Sequence, residues 1–149
     1  YDDSSVSDWY SGILSLISND PDEALYNISF SGTGSQYIIF AVPSEIPTIQ
    51  AALDSALAGD TVIVAAGSYG GELVFPSNDL VLRGSGQETT ILNGGDSTVV
   101  LTLNTGQTSN TIISGFTFRG GLGTNGGAVI VDNGSSPTFD QIIFYDNFW

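Results

Sequence analysis

The sequence contains no cysteine, histidine, lysine or methionine, and its only cations are two arginines against 16 Asp and Glu, a formal net charge of −14. Without cysteine no disulfide staples the fold, and thiolate zinc sites, iron–sulfur clusters and thiol nucleophiles are excluded. Without histidine the commonest general acid/base and the commonest metal ligand are missing. Two arginines cannot build the basic patch that neutralises phosphates, which excludes nucleic acid as a partner and polybasic docking on a membrane. No run approaches 18 consecutive apolar residues, so no helix is expected to span a bilayer. Carboxylate, hydroxyl and amide chemistry remain.

The 149 residues are 41% hydrophobic with a mean hydropathy of +0.17, enough to bury the core of one modest domain. A start at Tyr1 with no methionine anywhere suggests a processed mature protein or an excised piece, and a removed secretory signal is the simplest account. Abundant Ser, Thr, Asn and Gly with almost no cations reads as an extracellular or cell-surface protein, although a Lys-free acidic surface would also suit a high-salt cytoplasm.

Residues 1–43 differ in texture from residues 44–149, which sets the expected division into an N-terminal segment and a main domain. In the first part Ser5 or Ser7 can cap a short helix in which Trp9, Ile13, Leu16 and Ile17 follow helical spacing, with Asn19-Asp20-Pro21 as its stop. Two β-like runs, Leu25 to Phe30 and Gln36 to Val42, flank the hairpin-length loop Ser31-Gly32-Thr33-Gly34-Ser35. The expectation is a small α+β segment.

From Thr48 the pattern changes. Thr48 can N-cap a helix with Ile49, Ala52, Leu53, Ala56 and Leu57 as one apolar stripe, and Gly59 lies where a left-handed C-cap belongs. Only short strands follow: Thr61 to Ala65, Glu72 to Phe75, Leu80 to Arg83, Thr90 to Leu92, Val99 to Leu103, Thr111 to Arg119, Ala128 to Val131 and Phe139 to Tyr145. Leu80-Val81-Leu82-Arg83-Gly84, Phe116-Thr117-Phe118-Arg119-Gly120 and Ile142-Ile143-Phe144-Tyr145-Asp146 share one pattern, at offsets of 36 (Leu82 to Phe118) and 26 (Phe118 to Phe144) residues. Repeats of this length indicate a solenoid. Stacked copies would place Leu82, Phe118 and Phe144 in an inward ladder, and Arg83, Arg119 and Tyr145 in an outward one. The unequal offsets would also suit a β-sandwich; the recurring Arg-Gly and the single helix ahead of all the strands favour the solenoid.

Thr48-Ile49-Gln50-Ala51-Ala52-Leu53, followed by Ala58-Gly59-Asp60-Thr61-Val62-Ile63-Val64 and Gly67-Ser68-Tyr69, resembles the entry segment of right-handed parallel β-helix proteins of the pectate-lyase-like superfamily. Ile113 to Gly121 and Asn133 to Phe139 are similar to the β-helix repeats of bacterial and archaeal surface proteins. The resemblance covers roughly residues 44 to 149 and implies an all-β, right-handed parallel β-helix of about four coils with an N-terminal capping helix. Nothing equivalent to that helix closes the last coil, and the chain halts at Phe144-Tyr145-Asp146-Asn147-Phe148-Trp149 in mid-pattern. Enzymes of the superfamily act on acidic polysaccharides. Its lyases use strand aspartates on calcium with an Arg or Lys base, and its hydrolases use clustered Asp with a His and an Arg/Lys pair. Neither set is complete here. Gly67-Ser68-Tyr69-Gly70-Gly71-Glu72 resembles the Gly-x-Tyr-x-Glu of pectin methylesterases with one residue inserted, without the later motifs of that subgroup, so Tyr69 and Glu72 are read as turn and strand-edge residues.

Three further constellations carry candidate chemistry. Arg83, Arg119 and Tyr145 form a candidate ligand site, since a guanidinium fork can clamp a sugar carboxylate; the plainer reading pairs each arginine with a carboxylate or an outward aromatic. Asp132, Asp140 and Asp146 are candidate ligands for Ca²⁺, the one cofactor the sequence offers, with no EF-hand spacing to support them; solvated charge is the alternative. Asn27 and Asn133 head N-glycosylation sequons.

The functional expectation is a non-catalytic extracellular structural protein, a subunit of a head-to-tail filament or an adhesin module. Trp9, Ile13, Tyr37 and Ile39 of one copy would dock on the open coil at Phe148 and Trp149 of the next. The open edge could instead be covered by continuation of the chain. The competing expectation is an N-terminal fragment of a carbohydrate-active enzyme or a glycan-binding β-helix.

Overall fold

Brief apolar strands separated by turn residues can bury their faces only against neighbouring copies of themselves. The computed structural model of the chain describes residues 8–16, 26–34 and 37–149, in two compact units, Tyr1–Gln36 and Tyr37–Trp149. In the first, β1 (Asp8–Leu16) and β2 (Tyr26–Gly34) pair antiparallel, from Asp8 opposite Gly34 to Leu16 opposite Tyr26. The helix expected here is therefore a strand over Asp8–Leu16. Ser11, Gly12 and Ser15 are poor helix formers, a glycine alone costing about 1 kcal/mol in a helix interior, whereas Trp9, Tyr10 and Ile13 favour extended backbone. Ser5, Ser7 and Ile17 lie outside the described residues. The expected hairpin also differs: β2 runs through most of the presumed loop, its partner is β1, and the run ending at Val42 belongs to the second unit.

That unit contains β3 (Ile39–Val42), α1 (Ile49–Ser55), β4 (Thr61–Val64), β5 (Gly67–Gly70), β6 (Leu73–Val74), β7 (Val81–Gly84), β8 (Thr90–Asn93), β9 (Leu101–Leu103), β10 (Ile112–Arg119), β11 (Val129–Val131) and β12 (Thr138–Tyr145). Every strand pairing in it is parallel. The result is a parallel β-solenoid of about four turns, consistent with the right-handed β-helix expected from the sequence. One face stacks β3, β4, β7 and the first halves of β10 and β12; the next stacks β5, β8 and the second halves of β10 and β12; the third stacks β6, β9 and β11.

The register corrects the sequence alignment of the repeats. Leu82 lies between Val62 and Ile113 on the first face, and Ile113 in turn lies beside Phe139. Phe118 lies on the second face, between Leu92 and Phe144. Arg83 therefore stacks with Ile63 and Ser114, and Arg119 with Asn93 and Tyr145. The cause is a corner without a loop. β10 passes from one face to the next at Gly115 (φ +75°), so the triplet Phe116 to Phe118 belongs to a different face from the triplet at Leu80 to Leu82. At that corner the backbones of Gly84 and Gly115 touch; a Cβ on Gly84 would come within 2.3 Å of the Gly115 carbonyl oxygen.

The inward ladders form one core, in which Val62, Leu82, Leu92, Leu101, Leu103, Ile113, Phe116 and Phe118 are fully buried. Its lower end is covered by α1. The Thr48 hydroxyl accepts from the Ala51 N–H at 3.2 Å, the N-cap read from the sequence. Ile49, Ala52 and Leu53 are buried against the first coil; burial of a large aliphatic side chain is worth roughly 1.5–3 kcal/mol. The helix ends sooner than expected. Ala56 is its C-cap with extended backbone, which removes Leu57 from the stripe and leaves it exposed, and puts Gly59 in the turn to β4 instead of at the cap.

Gly84→Ala should lower stability by about 2–3 kcal/mol, the range for forcing extra atoms into a packed site, as a shift of the urea midpoint with an unchanged m-value. A midpoint equal to that of the parent protein would show that the corner has slack.

Candidate functional site

The two ends of the solenoid differ in how their strand edges are satisfied. At the first coil, the Ala41 N–H donates to Glu45 Oε2 at 3.0 Å, and the Ala41 carbonyl accepts the N–H groups of Glu45 and Ile46. On β6 the Gln50 side-chain amide takes the place of a neighbouring strand: its Nε2 donates to the Val74 carbonyl at 3.0 Å, and its Oε1 accepts the Val74 N–H at 2.9 Å. Buried Asp60 accepts from the N–H groups of Ile38 and Leu57, each at 2.8 Å. These edge groups are thereby paired within the coil, by side chains or by the turn that follows β3.

At the other end the core is uncovered. Phe144 stacks in register on fully buried Phe118, ring centroids 5.4 Å apart, yet is 56% exposed. Val131, Leu122, Tyr145, Phe148 and Trp149 are also exposed, Trp149 almost wholly. β12 and β11 each pair with one neighbour, β10 and β9, so their outer edges face away from the stack. This last coil is tied to the one before it by Asn147, whose side chain accepts the Gly121 N–H and donates to the Phe118 carbonyl, both at 2.9 Å, and by the Phe148 N–H, which donates to the Gly121 carbonyl. This uncovered coil is the candidate functional surface.

The structure treats the sequence candidates unequally. Arg119 and Tyr145 are brought together: the guanidinium carbon sits 5.4 Å from the ring centroid, and an ion pair to Asp146 spans 3.8 Å between half-exposed side chains. Such an exposed pair contributes little to stability. The group borders a cleft of about 300 Å³ with Asn93, Asp96 and Phe148. Arg83 is on another face, in a mainly apolar cleft of about 360 Å³ beside Ala41, Ile63 and Ser85. Arg83 and Arg119 thus do not occupy equivalent positions. Asp132 follows β11, Asp140 lies in the first half of β12 and Asp146 follows its second half, so the three belong to three different faces, and among the described residues no three acidic side chains converge as a metal site.

Asn133 (φ +50°) donates from Nδ2 to the Asn104 carbonyl at 3.0 Å, while Ser135 of the same sequon donates to Gln107 Oε1 at 2.7 Å, so both side chains link coils. Asn27, Trp9 and Ile13 fall in β2 and β1, their side chains outside the described residues. Tyr37 and Ile39 are exposed at the first coil. A cleft of about 420 Å³ is lined by Tyr69 and Glu72. Both have structural partners: the Tyr69 hydroxyl donates to the Ala65 carbonyl, and the Glu72 carboxylate accepts the hydroxyls of Thr98 and Thr102.

Two polar ladders went unread in the sequence. Buried Gln107 donates to the Pro76 carbonyl at 2.7 Å and to the Thr105 hydroxyl at 2.6 Å, tying three successive coils together with Ser135. Asp79 accepts the hydroxyl of Thr108, that of Thr111 at 2.7 Å, and the Thr108 N–H at 2.7 Å. Those bonds, the Thr108 hydroxyl foremost, hold its carboxyl below the ordinary value of 3.8, against a smaller opposing effect of desolvation. Short polar residues in turns carry no periodicity that would have revealed either ladder.

No family model matches the chain, and a search of curated proteins finds no match. No helix among the described residues is long and apolar enough to cross a membrane.

A carboxyl depressed in the folded state contributes stability that is present above its unfolded pKa and lost as pH falls through the folded value. Asp79→Asn should therefore reduce the loss of stability between about pH 6 and about pH 3 relative to the parent chain, measured by urea unfolding at both pH values. An equal acid loss in the two proteins would assign the effect to other carboxylates.

Proposed function

We propose that the chain is a non-catalytic structural module of the extracellular space or cell surface that works by self-association through its last coil. The observation that carries this reading is the exposed apolar surface of the last described coil, where Phe144 is 56% exposed although it pairs in register with fully buried Phe118. Half-exposing a phenylalanine forfeits about 1 kcal/mol of burial, and a strand laid along β12 would recover it while pairing the outer backbone groups. Large apolar side chains exposed together in one coil are of the kind that marks interaction sites. The absence of histidine, lysine and cysteine from the sequence supports a structural over a catalytic role. So do the structural partners of Tyr69 and Glu72. The acidic surface supports the extracellular assignment.

A carbohydrate-active fragment is the weaker reading, because the arginines lie on separate faces and the net charge of −14 repels an acidic glycan.

Sedimentation velocity over rising concentration tests the proposal. The parent chain should associate, and Phe144→Asp should weaken association at least about tenfold, the effect of about 1.4 kcal/mol, while circular dichroism shows the fold retained. A parent chain that stays monomeric at millimolar concentration overturns the reading.

A further inference from the structure

The chain has 16 Asp and Glu and only two arginines, yet the arginines are treated differently. Arg119 is ion-paired to Asp146 and lies over the Tyr145 ring. Arg83 is exposed, and among the described residues its guanidinium makes no ion pair and no hydrogen bond. It belongs to the side of the stack, with strands above and below it: on the first face it lies in register between Ile63 and Ser114, with Ala41 one coil before Ile63 and Asp140 one coil beyond Ser114. Ala41, exposed Ile63 and Arg83 line the cleft of about 360 Å³ on that face, which Ser44 of the turn after β3 and Ser85 of the turn after β7 also border. The second turn is anchored. The Ser85 hydroxyl donates to the Val64 carbonyl at 2.9 Å, and the Thr117 hydroxyl of β10 donates to the Gln87 carbonyl at 2.6 Å. A cleft of this volume falls within the range of small-ligand pockets, roughly 300–1,000 Å³.

We propose that this cleft binds a small monocarboxylate with an apolar body, its carboxylate on the Arg83 guanidinium and its hydrocarbon on Ala41, Ile63 and Ala65. A guanidinium offers a carboxylate two parallel donors and, being weakly hydrated, tolerates an apolar surface beside it. The apolar floor keeps water from one side of the contact, which strengthens the attraction. Two carboxylates limit the ligand to one charge. Glu45 is held at the Ala41 N–H, at one end of the cleft, and Asp140 stands two coils beyond Arg83 in the same ladder, about 10 Å away at the usual strand spacing. A second negative group on the ligand would be repelled at either end, and the net charge of −14 disfavours a polyanion altogether. The site is thus not the sugar-carboxylate clamp expected of Arg83, Arg119 and Tyr145 together, which lie on different faces. It makes no use of the last coil, so it stands independently of self-association.

The scarcity of cations makes the test direct. Two arginines give two side-chain Nε–H signals in a proton–nitrogen correlation spectrum of the full chain, and Arg83→Gln, which removes one of them, assigns both. Titration with phenylbutanoate should move the Arg83 signal and the backbone amide signals of Ile63 and Ala65 to saturation and leave the Arg119 signal in place. Acetate keeps the charge without the apolar body, phenylbutanol keeps the body without the charge, and each should bind at least about tenfold more weakly. Arg83→Gln should weaken phenylbutanoate binding at least about tenfold, and Ile63→Ser by a smaller factor, read from the Ala65 amide while circular dichroism shows the fold retained. The titrations of the parent chain carry the test should either variant fail to fold. Absence of a saturable Arg83 shift at millimolar phenylbutanoate overturns the proposal, and so does equal movement of the two arginine signals, the mark of general ion association. Acetate or trigalacturonate binding as tightly as phenylbutanoate overturns the apolar monocarboxylate as the ligand class.

Discussion

A single coil of this protein has no inside. Its inward residues become a core only when the next coil lies about 4.8 Å away with side chains in the same register, so that Val62, Leu82, Ile113 and Phe139, or Leu92, Phe118 and Phe144, shield one another. In-register parallel pairing is thus the constraint on which everything else depends. It supplies the backbone bonds and the apolar burial together, and a slip of one residue would turn both inside out.

The same constraint creates the problem of the ends. Each sheet must begin and stop, and the first and last strands have no neighbour on one side. The first coil resolves this locally, with α1 over the core, Glu45 on β3, Gln50 on β6 and Asp60 on the N–H groups of Ile38 and Leu57. In the last coil Phe144 stays 56% exposed above buried Phe118.

Corners are held by a second set of bonds. Gln107 links the turn at Phe75 and Pro76 to Ser135 two coils on, Asp79 gathers Thr108 and Thr111, and Asn133 reaches the Asn104 carbonyl. These residues read in sequence as solvated turns, a sequon and isolated charge. Their roles arise from stacking, which brings side chains about one coil apart in sequence to hydrogen-bonding distance.

Composition and local pattern by themselves determined the class of the fold, the place of α1 with its Thr48 cap, most strands after Thr61, and the exclusion of chemistry that needs cysteine or histidine. These follow from properties of neighbouring residues, namely the alternation of apolar side chains and the turn preferences of glycine and asparagine. The tertiary structure alone decided which strands share a face. Gly115 lets one strand serve two faces, and this separates Arg83 from Arg119 although their flanking residues look alike. It also decided that Asp8–Leu16 is a strand, since a cross-strand partner outweighs a weak helical pattern, and that Gly67–Gly70 pairs with β8 despite its glycines. Above all it decided how the first coil satisfies the edge groups of Ala41 and Val74, because a carboxylate or an amide becomes a substitute for a missing strand only once the chain brings it to an unpaired edge.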